Sequence, residues 1–242
     1  MRRELNQSDP FNTDYFSEYY KNYRDKEEDL FDSERHFIEK FINNIDSVLD
    51  VGCATGGMLN ILSNFKKDIK YEGIDISKNL IKIASRNYPN IKFNLGDGSL
   101  LMHQNNSYDG IISFGTTVHD QNWKNLLSQC YRVAKKSFLF DIRLTRKKTL
   151  SKINECFVLD GSGIKYPYIV INIWEFLEFL KSLDNNPMIN IYGYSGKANK
   201  DVTMPSGYEN IFMCGILLEK VESNSKRHGN NINIDIPIEL LL

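Results

Sequence analysis

The stretch Val48-Leu49-Asp50-Val51-Gly52-Cys53-Ala54-Thr55-Gly56-Gly57 constrains this chain more than any other. A short apolar run closes on an acid and breaks into a glycine-rich turn. It then passes into Met58-Leu59-Asn60-Ile61-Leu62, whose apolar spacing suits a helix. Strand, tight loop and helix therefore follow one another directly. Glycine in such a loop lets the backbone approach a ligand where a side chain would clash. The helix start offers N–H groups that have no intrahelical partner.

The rest of the chain repeats the alternation. Strand 48–51 leads to a helix over 57–65. Strand 71–75 ends in Asp75, and Ser77 stands at the N-cap of a helix carrying Leu80, Ile81, Ile83 and Ala84. Strand 91–95 precedes Gly96-Asp97-Gly98, strand 108–114 precedes Gly115, and helix 122–134 feeds strand 137–142. Such alternation specifies an α/β fold with a parallel, doubly wound sheet. Residues 145–171 break the rhythm, and Asp160-Gly161-Ser162-Gly163 between two apolar stretches predicts a hairpin or loop insertion. Helix 173–183 resumes the pattern, and strands 189–194 and 211–219, joined by 195–210, would close the sheet. At the N-terminal end Tyr15, Phe16, Tyr19, Tyr20 and Tyr23 recur at three- and four-residue steps, on one side of a helix. A second helix is expected from Phe31 to Ile42.

Charge and cysteine usage narrow the function classes. Thirty Lys and Arg against 31 Asp and Glu leave a net charge of −1, which gives no electrostatic reason to expect nucleic acid or an anionic membrane as partner. The densest basic patch, Arg143, Arg146, Lys147 and Lys148, reads as a solvated loop. Cys53, Cys130, Cys156 and Cys214 form no CxxC pair, so neither a zinc site nor a disulfide framework is suggested, and reduced thiols are expected. No apolar run approaches the length of a membrane span and the first residues lack an apolar signal core, so a cytoplasmic location is expected.

In an open α/β sheet, ligands bind beyond the carboxyl ends of the strands. Asp50 and Gly52 follow the first strand here, Asp75 the second, Asp97 the third, and Phe114-Gly115 the fourth. A carboxylate at Asp75 can accept hydrogen bonds from both hydroxyls of a ribose. Asp97 can accept from an exocyclic amine, and Ile76 offers an apolar face to a purine. These residues resemble the class I S-adenosyl-L-methionine (SAM)-dependent methyltransferases. The acid-x-Gly-x-Gly-x-Gly motif of that family is matched by Asp50-Val51-Gly52-Cys53-Ala54-Thr55-Gly56, with Ala54 in place of the middle glycine. Asp75 matches its second acid, Gly96-Asp97-Gly98 its adenine-side motif, and Tyr108-Asp109-Gly110-Ile111-Ile112 its fourth-strand signature. The resemblance covers 46–142 well and 173–220 loosely.

That resemblance implies a Rossmann-like, seven-stranded sheet, mostly parallel with an antiparallel last strand. It implies SAM as cofactor and S-adenosyl-L-homocysteine (SAH) as product. The implied cofactor contacts are Asp50, Gly52, Ala54, Gly56, Asp75, Ile76, Asp97, Gly98 and Phe114. The aromatic N-terminal segment resembles the lid of small-molecule methyltransferases, where a tyrosine reaches the methionine end, which brings in Tyr15 and Tyr19. The chain then divides into a helical lid (11–45), a cofactor-binding half (46–144), an insertion (145–171), a substrate-side half (172–221) and a tail (222–242), all within one domain.

Methyl transfer needs an acceptor held in line with the leaving sulfur and shielded from water. His119, just after the fourth strand, is the candidate general base, with Asp120 beside it as an orienting acid. A cap or a packing role is the alternative for His119. Asp120, Asp141, Arg143, Tyr166 and Tyr168 are candidate acceptor contacts, with the insertion and 195–210 as the opposite wall. No metal is expected, because Asp120, Asn122 and Asp141 lack the spacing of converging oxygen ligands. After the fourth strand there is no Asn/Asp-Pro-Pro-aromatic element, and no Pro-Cys nucleophile occurs, which argues against a nucleic-acid acceptor. The expected acceptor is an oxygen or nitrogen of a small molecule, a sugar or nucleotide-linked sugar first, with no membrane partner and a monomer or homodimer as the working unit. Two rivals stand beside this reading. Gly52-x-Ala54-x-x-Gly57 also fits a NAD-dependent oxidoreductase, although Asp50, Asp97 and the shortness of the chain oppose it. A SAM-binding regulatory or partner protein without transferase activity would carry the same cofactor residues.

Overall fold

The computed structural model describes residues 9–21, 24–183, 187–221 and 231–241. Tyr23 of the aromatic stripe and residues 222–230 of the tail lie outside them. Helix α1 (Asp14–Tyr19) starts where Thr13 Oγ1 accepts from the Phe16 N–H at 3.3 Å. The expected helix from Phe31 to Ile42 is two pieces, α2 (Asp32–Arg35) and α3 (Ile38–Asn43), with a break at His36-Phe37. The break lets each piece bury its own side. Ser33 and Glu34 turn inward from α2, while Ile38, Phe41 and Ile42 pack from α3.

From there the alternation runs β1 (Ser47–Val51), α4 (Met58–Phe65), β2 (Lys70–Asp75), α5 (Lys78–Asn87), β3 (Lys92–Leu95), β4 (Tyr108–Ser113), α6 (Trp123–Val133) and β5 (Ala134–Thr145). Ser77 caps α5, its Oγ accepting from the Leu80 N–H at 3.3 Å. The second half adds β6 (Phe157–Leu159), β7 (Lys165–Pro167), β8 (Ile171–Asn172), α7 (Ile173–Lys181), β9 (Met188–Lys197), β10 (Val202–Thr203), β11 (Asn210–Glu219) and β12 (Ile232–Asp235). Among the described residues no helix is long and apolar enough to cross a membrane.

The strand order is β12-β9-β11-β5-β4-β1-β2-β3, with β8 beside β5. β3, β2, β1, β4 and β5 are parallel, and β11 runs antiparallel to both β5 and β9. The sheet therefore has nine strands where seven are expected. The two additions are β8, a two-residue pairing on β5, and β12, which comes from the tail and covers the open side of β9. The alternation Ile232-Asn233-Ile234-Asp235 suits such an edge. β11 is the antiparallel strand, but β12 follows it in the chain.

Adjacent residues along the central strands face opposite cores. Leu49, Ile111, Phe138 and Phe140 pack with α6 and α7, while Val48, Ile112 and Leu139 pack with α3 and α4. Burial on both faces is what a doubly wound parallel sheet requires. Strand order reverses at β1, with β2 on one side and β4 on the other, and this opens a crevice at the strand ends.

The insertion is a β6–β7 hairpin. Its turn is tied by Asp160 Oδ1, which accepts from the N–H groups of Ser162 (2.9 Å) and Ile164 (3.0 Å). β10 from the 195–210 segment pairs with β6, making a separate three-stranded sheet. Val158 and Tyr166 of this sheet share one apolar cluster with Phe16 of α1 and Val118. The N-terminal segment and the insertion are thus packed together, next to the carboxyl end of β4.

Candidate active site

The crevice at β1 and β4 holds an open cleft, about 970 Å³ with the solvent space at its mouth included. Its floor is the glycine loop. Gly52 and Cys53 donate their N–H groups to the Ile74 carbonyl at 2.8 and 3.1 Å, which turns the chain back against β2. Gly52 has φ +82°, and a Cβ there would lie 2.0 Å from Thr116 Oγ1. Gly52→Ala is therefore expected to destabilise the protein by about 1–3 kcal/mol through left-handed strain alone, and more through the clash. Urea denaturation checks this. Ala54, at the middle-glycine position, has φ +46° and donates its N–H to Asp75 Oδ2 at 2.9 Å.

Three acids ring the cleft. Asp75, at the end of β2, is buried and also accepts from the Ser77 N–H at 2.8 Å. Burial pushes its carboxyl up, and these N–H bonds pull it back. Asp50 is buried in β1, and burial raises its carboxyl to about 7 against the pull of the Tyr71 hydroxyl, which donates to Oδ2 at 2.5 Å. Asp97 follows β3, and its Oδ1 accepts from the Ser99 N–H at 2.8 Å. Ile76, Gly98 and Phe114 complete this side. Gly56 lies outside the lining. It turns at φ +87° beneath Phe93, whose ring a Cβ would meet at 2.8 Å, so its place is in the packing under β3.

The N-terminal segment crosses the cleft mouth and brings Phe11, Tyr20 and Arg24 into the lining. It is held by the Ser77 hydroxyl donating to the Phe11 carbonyl (2.7 Å) and the Thr55 hydroxyl donating to the Tyr20 carbonyl (2.8 Å). Tyr15 and Tyr19, expected at the methionine end, do not line the cleft and are 39% and 51% exposed. The cause is helical. Phe16, 2% exposed, takes the buried position, and its four-residue partner Tyr20 follows it inward, so Tyr15 and Tyr19 face out.

His119 closes a short 3₁₀ turn after β4 and lines the cleft. Its Nδ1 is 2.9 Å from the Pro167 carbonyl of β7. A carbonyl only accepts, so Nδ1 carries the proton and Nε2 keeps its lone pair. Burial lowers the ring to about 4, leaving it neutral near pH 7. Asp120 also lines the cleft. Its Oδ1 accepts from the Asn122 N–H at 2.7 Å, tying the turn before α6.

Asp141 and Arg143, expected to face the acceptor, lie beneath the floor outside the lining. Asp141 accepts from the Gly115 N–H (2.6 Å) and from Arg143 Nη1 (2.8 Å), bracing the turn after β4. Tyr166 and Tyr168 stand behind His119, with ring centroids 5.1 and 6.2 Å from it. Among the described residues the insertion reaches the cleft through His119 and contributes no lining of its own.

Sequence reasoning missed Phe11, Tyr20, Thr116 and Arg24 in the lining, and Glu34 behind Arg24. The four-residue step from Phe16 to Tyr20 was a usable signal for one of them. Nothing local marks the other four.

Residues 48–137 match the family model of a methyltransferase domain. An uncharacterized protein of Methanocaldococcus jannaschii is 37% identical over 107 residues, which is 44% of this chain and 40% of that protein. A tRNA (guanine-N(7)-)-methyltransferase of Prochlorococcus marinus is 29% identical over 141 residues, 55% of this chain and 65% of the other. The chain spans less than two thirds of the length of either relative. With a tRNA enzyme among them, the exclusion of nucleic acid drawn from charge balance finds no support. Among solved structures, phosphoethanolamine N-methyltransferase 2 of Haemonchus contortus, in complex with SAM, superposes with a TM-score of 0.62. Its identity is 14%, over 91% of this chain and 61% of that one, a likeness of fold. The family match falls on the loop and strand ends that build the cleft, and over those residues the chain is similar to the SAM-dependent methyltransferases.

Proposed function

We propose that the cleft binds SAM and that the protein transfers a methyl group to an oxygen or nitrogen of a small molecule, with a sugar or nucleotide-linked sugar as the first candidate. The observation that carries this reading is one cleft with Asp75 and Asp97 at one end and a neutral His119 at the other. The donor set fits the cofactor. Asp75 suits a ribose diol, Asp97 an exocyclic amine and Ile76 a purine face. Gly52 and Ala54 bring backbone close to the ligand, and Asp50 suits a cationic end. When bound, SAM supplies an electrophilic methyl group. His119 Nε2 then takes the proton that an acceptor hydroxyl or ammonium must lose, with the Pro167 carbonyl fixing its tautomer. Phe11, Tyr20 and Phe114 exclude water, and Asp120 meets the acceptor. Tyr166 and Tyr168 hold the imidazole in place, while Asp141 and Arg143 hold the turn that carries it. The four cysteines are all buried and unbridged, which suits a reducing compartment such as the cytoplasm.

The test is transfer of label from methyl-tritiated SAM to a panel of sugars, nucleotide-linked sugars, small amines and transfer RNA. Label in a sugar or nucleotide-linked sugar is the expected result. Label confined to RNA, or none despite SAM binding, would overturn the acceptor assignment.

A further inference from the structure

A second pocket opens where α3 meets the start of β5 and the end of β11. Lys40 and Asn44 line it from α3, Lys136 and Ser137 from β5, and Glu219 and Lys220 from the end of β11. β5 runs parallel to β4, so its first residues lie at the amino end of the sheet, away from the cleft at the carboxyl ends. The two sites share no lining residue.

Ser137 is the residue that packing alone does not explain. It is 4% exposed, and its Oγ has no hydrogen-bond partner among the described residues. It shares a sheet face with Leu139, two residues on, which packs with α3 and α4. The hydroxyl is therefore on the side where the pocket lies. A buried hydroxyl without a partner destabilises a fold, and alanine at this position would remove that cost. A ligand that accepts from the hydroxyl removes it as well.

Charge indicates which ligand. Three lysines line the pocket against one carboxylate. Lys40 Nζ donates to Glu219 Oε2 at 2.6 Å, and Lys220 Nζ to Asn106 Oδ1 at 2.7 Å. Lys136 Nζ donates to the Asn44 carbonyl at 3.1 Å and lies 3.5 Å from Asp109 Oδ1. The side chains of Lys40 and Lys136 are each 44% exposed, and an ammonium carries three donors. Compact ammonium groups beside a hydroxyl suit an oxyanion that accepts from several directions, whereas a planar carboxylate is matched by an arginine fork. We infer that this pocket binds the phosphate group of a small molecule, with Ser137 and Lys136 donating from β5 and Lys40 from α3. The site is independent of what the cleft binds.

The experiment is titration of the isotope-labelled protein with inorganic phosphate at constant ionic strength, read by backbone amide shifts, with acetate as the carboxylate control. Saturable shifts at Asn44, Lys136, Ser137, Glu219 and Lys220 are expected with phosphate. Ser137→Ala and Lys136→Gln are each expected to weaken phosphate by about 10- to 150-fold, the worth of a hydrogen bond to a charged group. Thermal melting separates binding from packing. Without phosphate Ser137→Ala should melt at or above the wild-type temperature, and phosphate should raise the melting temperature of the wild type but not of the variant. Non-saturable shifts, or equal phosphate affinity in wild type and either variant, would mean an adventitious ion only and would overturn the inference. So would acetate binding the same residues as tightly, phosphate shifts confined to the glycine loop at Gly52 and Ala54, or a Ser137→Ala variant that melts below the wild type.

Discussion

Asp75→Ala is expected to weaken SAH binding by more than about 100-fold, because two hydrogen bonds to a charged carboxylate, worth about 1.5–3 kcal/mol each, are lost together. A second loss is internal. The Ala54 and Ser77 N–H groups both donate to this carboxylate, and alanine leaves them facing a buried gap. The left-handed turn at Ala54 then loses the bond that holds it. Asp75→Asn separates the two effects. It keeps the volume and one acceptor oxygen, so the loop should hold better while its amide cannot accept on both sides. Calorimetry reports binding, and thermal melting of the ligand-free variants reports the loop. SAH affinity near wild type in Asp75→Ala would sink the ribose assignment.

His119→Ala is expected to lower turnover by about 10²- to 10⁴-fold, the usual contribution of a general base, with SAH affinity little changed. The pH profile distinguishes this from a loss of packing. Burial holds the imidazole at about 4, so the base form is present through neutrality. Wild-type kcat at saturating SAM should stay flat as pH falls through 6.5, where an ordinary histidine would protonate, and drop only as pH approaches 4. Saturation matters because Asp50 titrates near 7 in the same cleft and would affect binding. A kcat that halves near pH 6.5, or a His119→Ala variant with wild-type turnover, would remove His119 from the chemistry.

What the sequence made legible was local. A strand buried on both faces shows as a short apolar run, and a turn needing φ above zero shows as glycine. Gly52, Asp75 and Asp97 could therefore be placed at strand ends before any coordinates. Ser77 as a cap and the parallel order of the first five strands followed from the same signals. The features that were not legible depend on contacts distant in the chain. Which side of α1 turns inward is decided by Phe16 meeting Tyr166 of the insertion, so the stripe alone could not tell Tyr15 and Tyr19 from Tyr20. The partner of His119 Nδ1 is a backbone carbonyl at Pro167, which no side-chain pattern records, while Asp120 Oδ1 ties the turn before α6. Asp141 and Arg143 look like site residues because they end a central strand. They spend their charges on each other and on Gly115. The pairing of β12 with β9 lies in a polar tail whose alternation is only four residues long.

Whether this cleft is a SAM site is decided by calorimetric titration of the wild-type protein with SAM, SAH and NAD. Saturable binding of SAM and SAH, and none of NAD, is the expected result. Binding of NAD alone, or of none of the three, would contradict it.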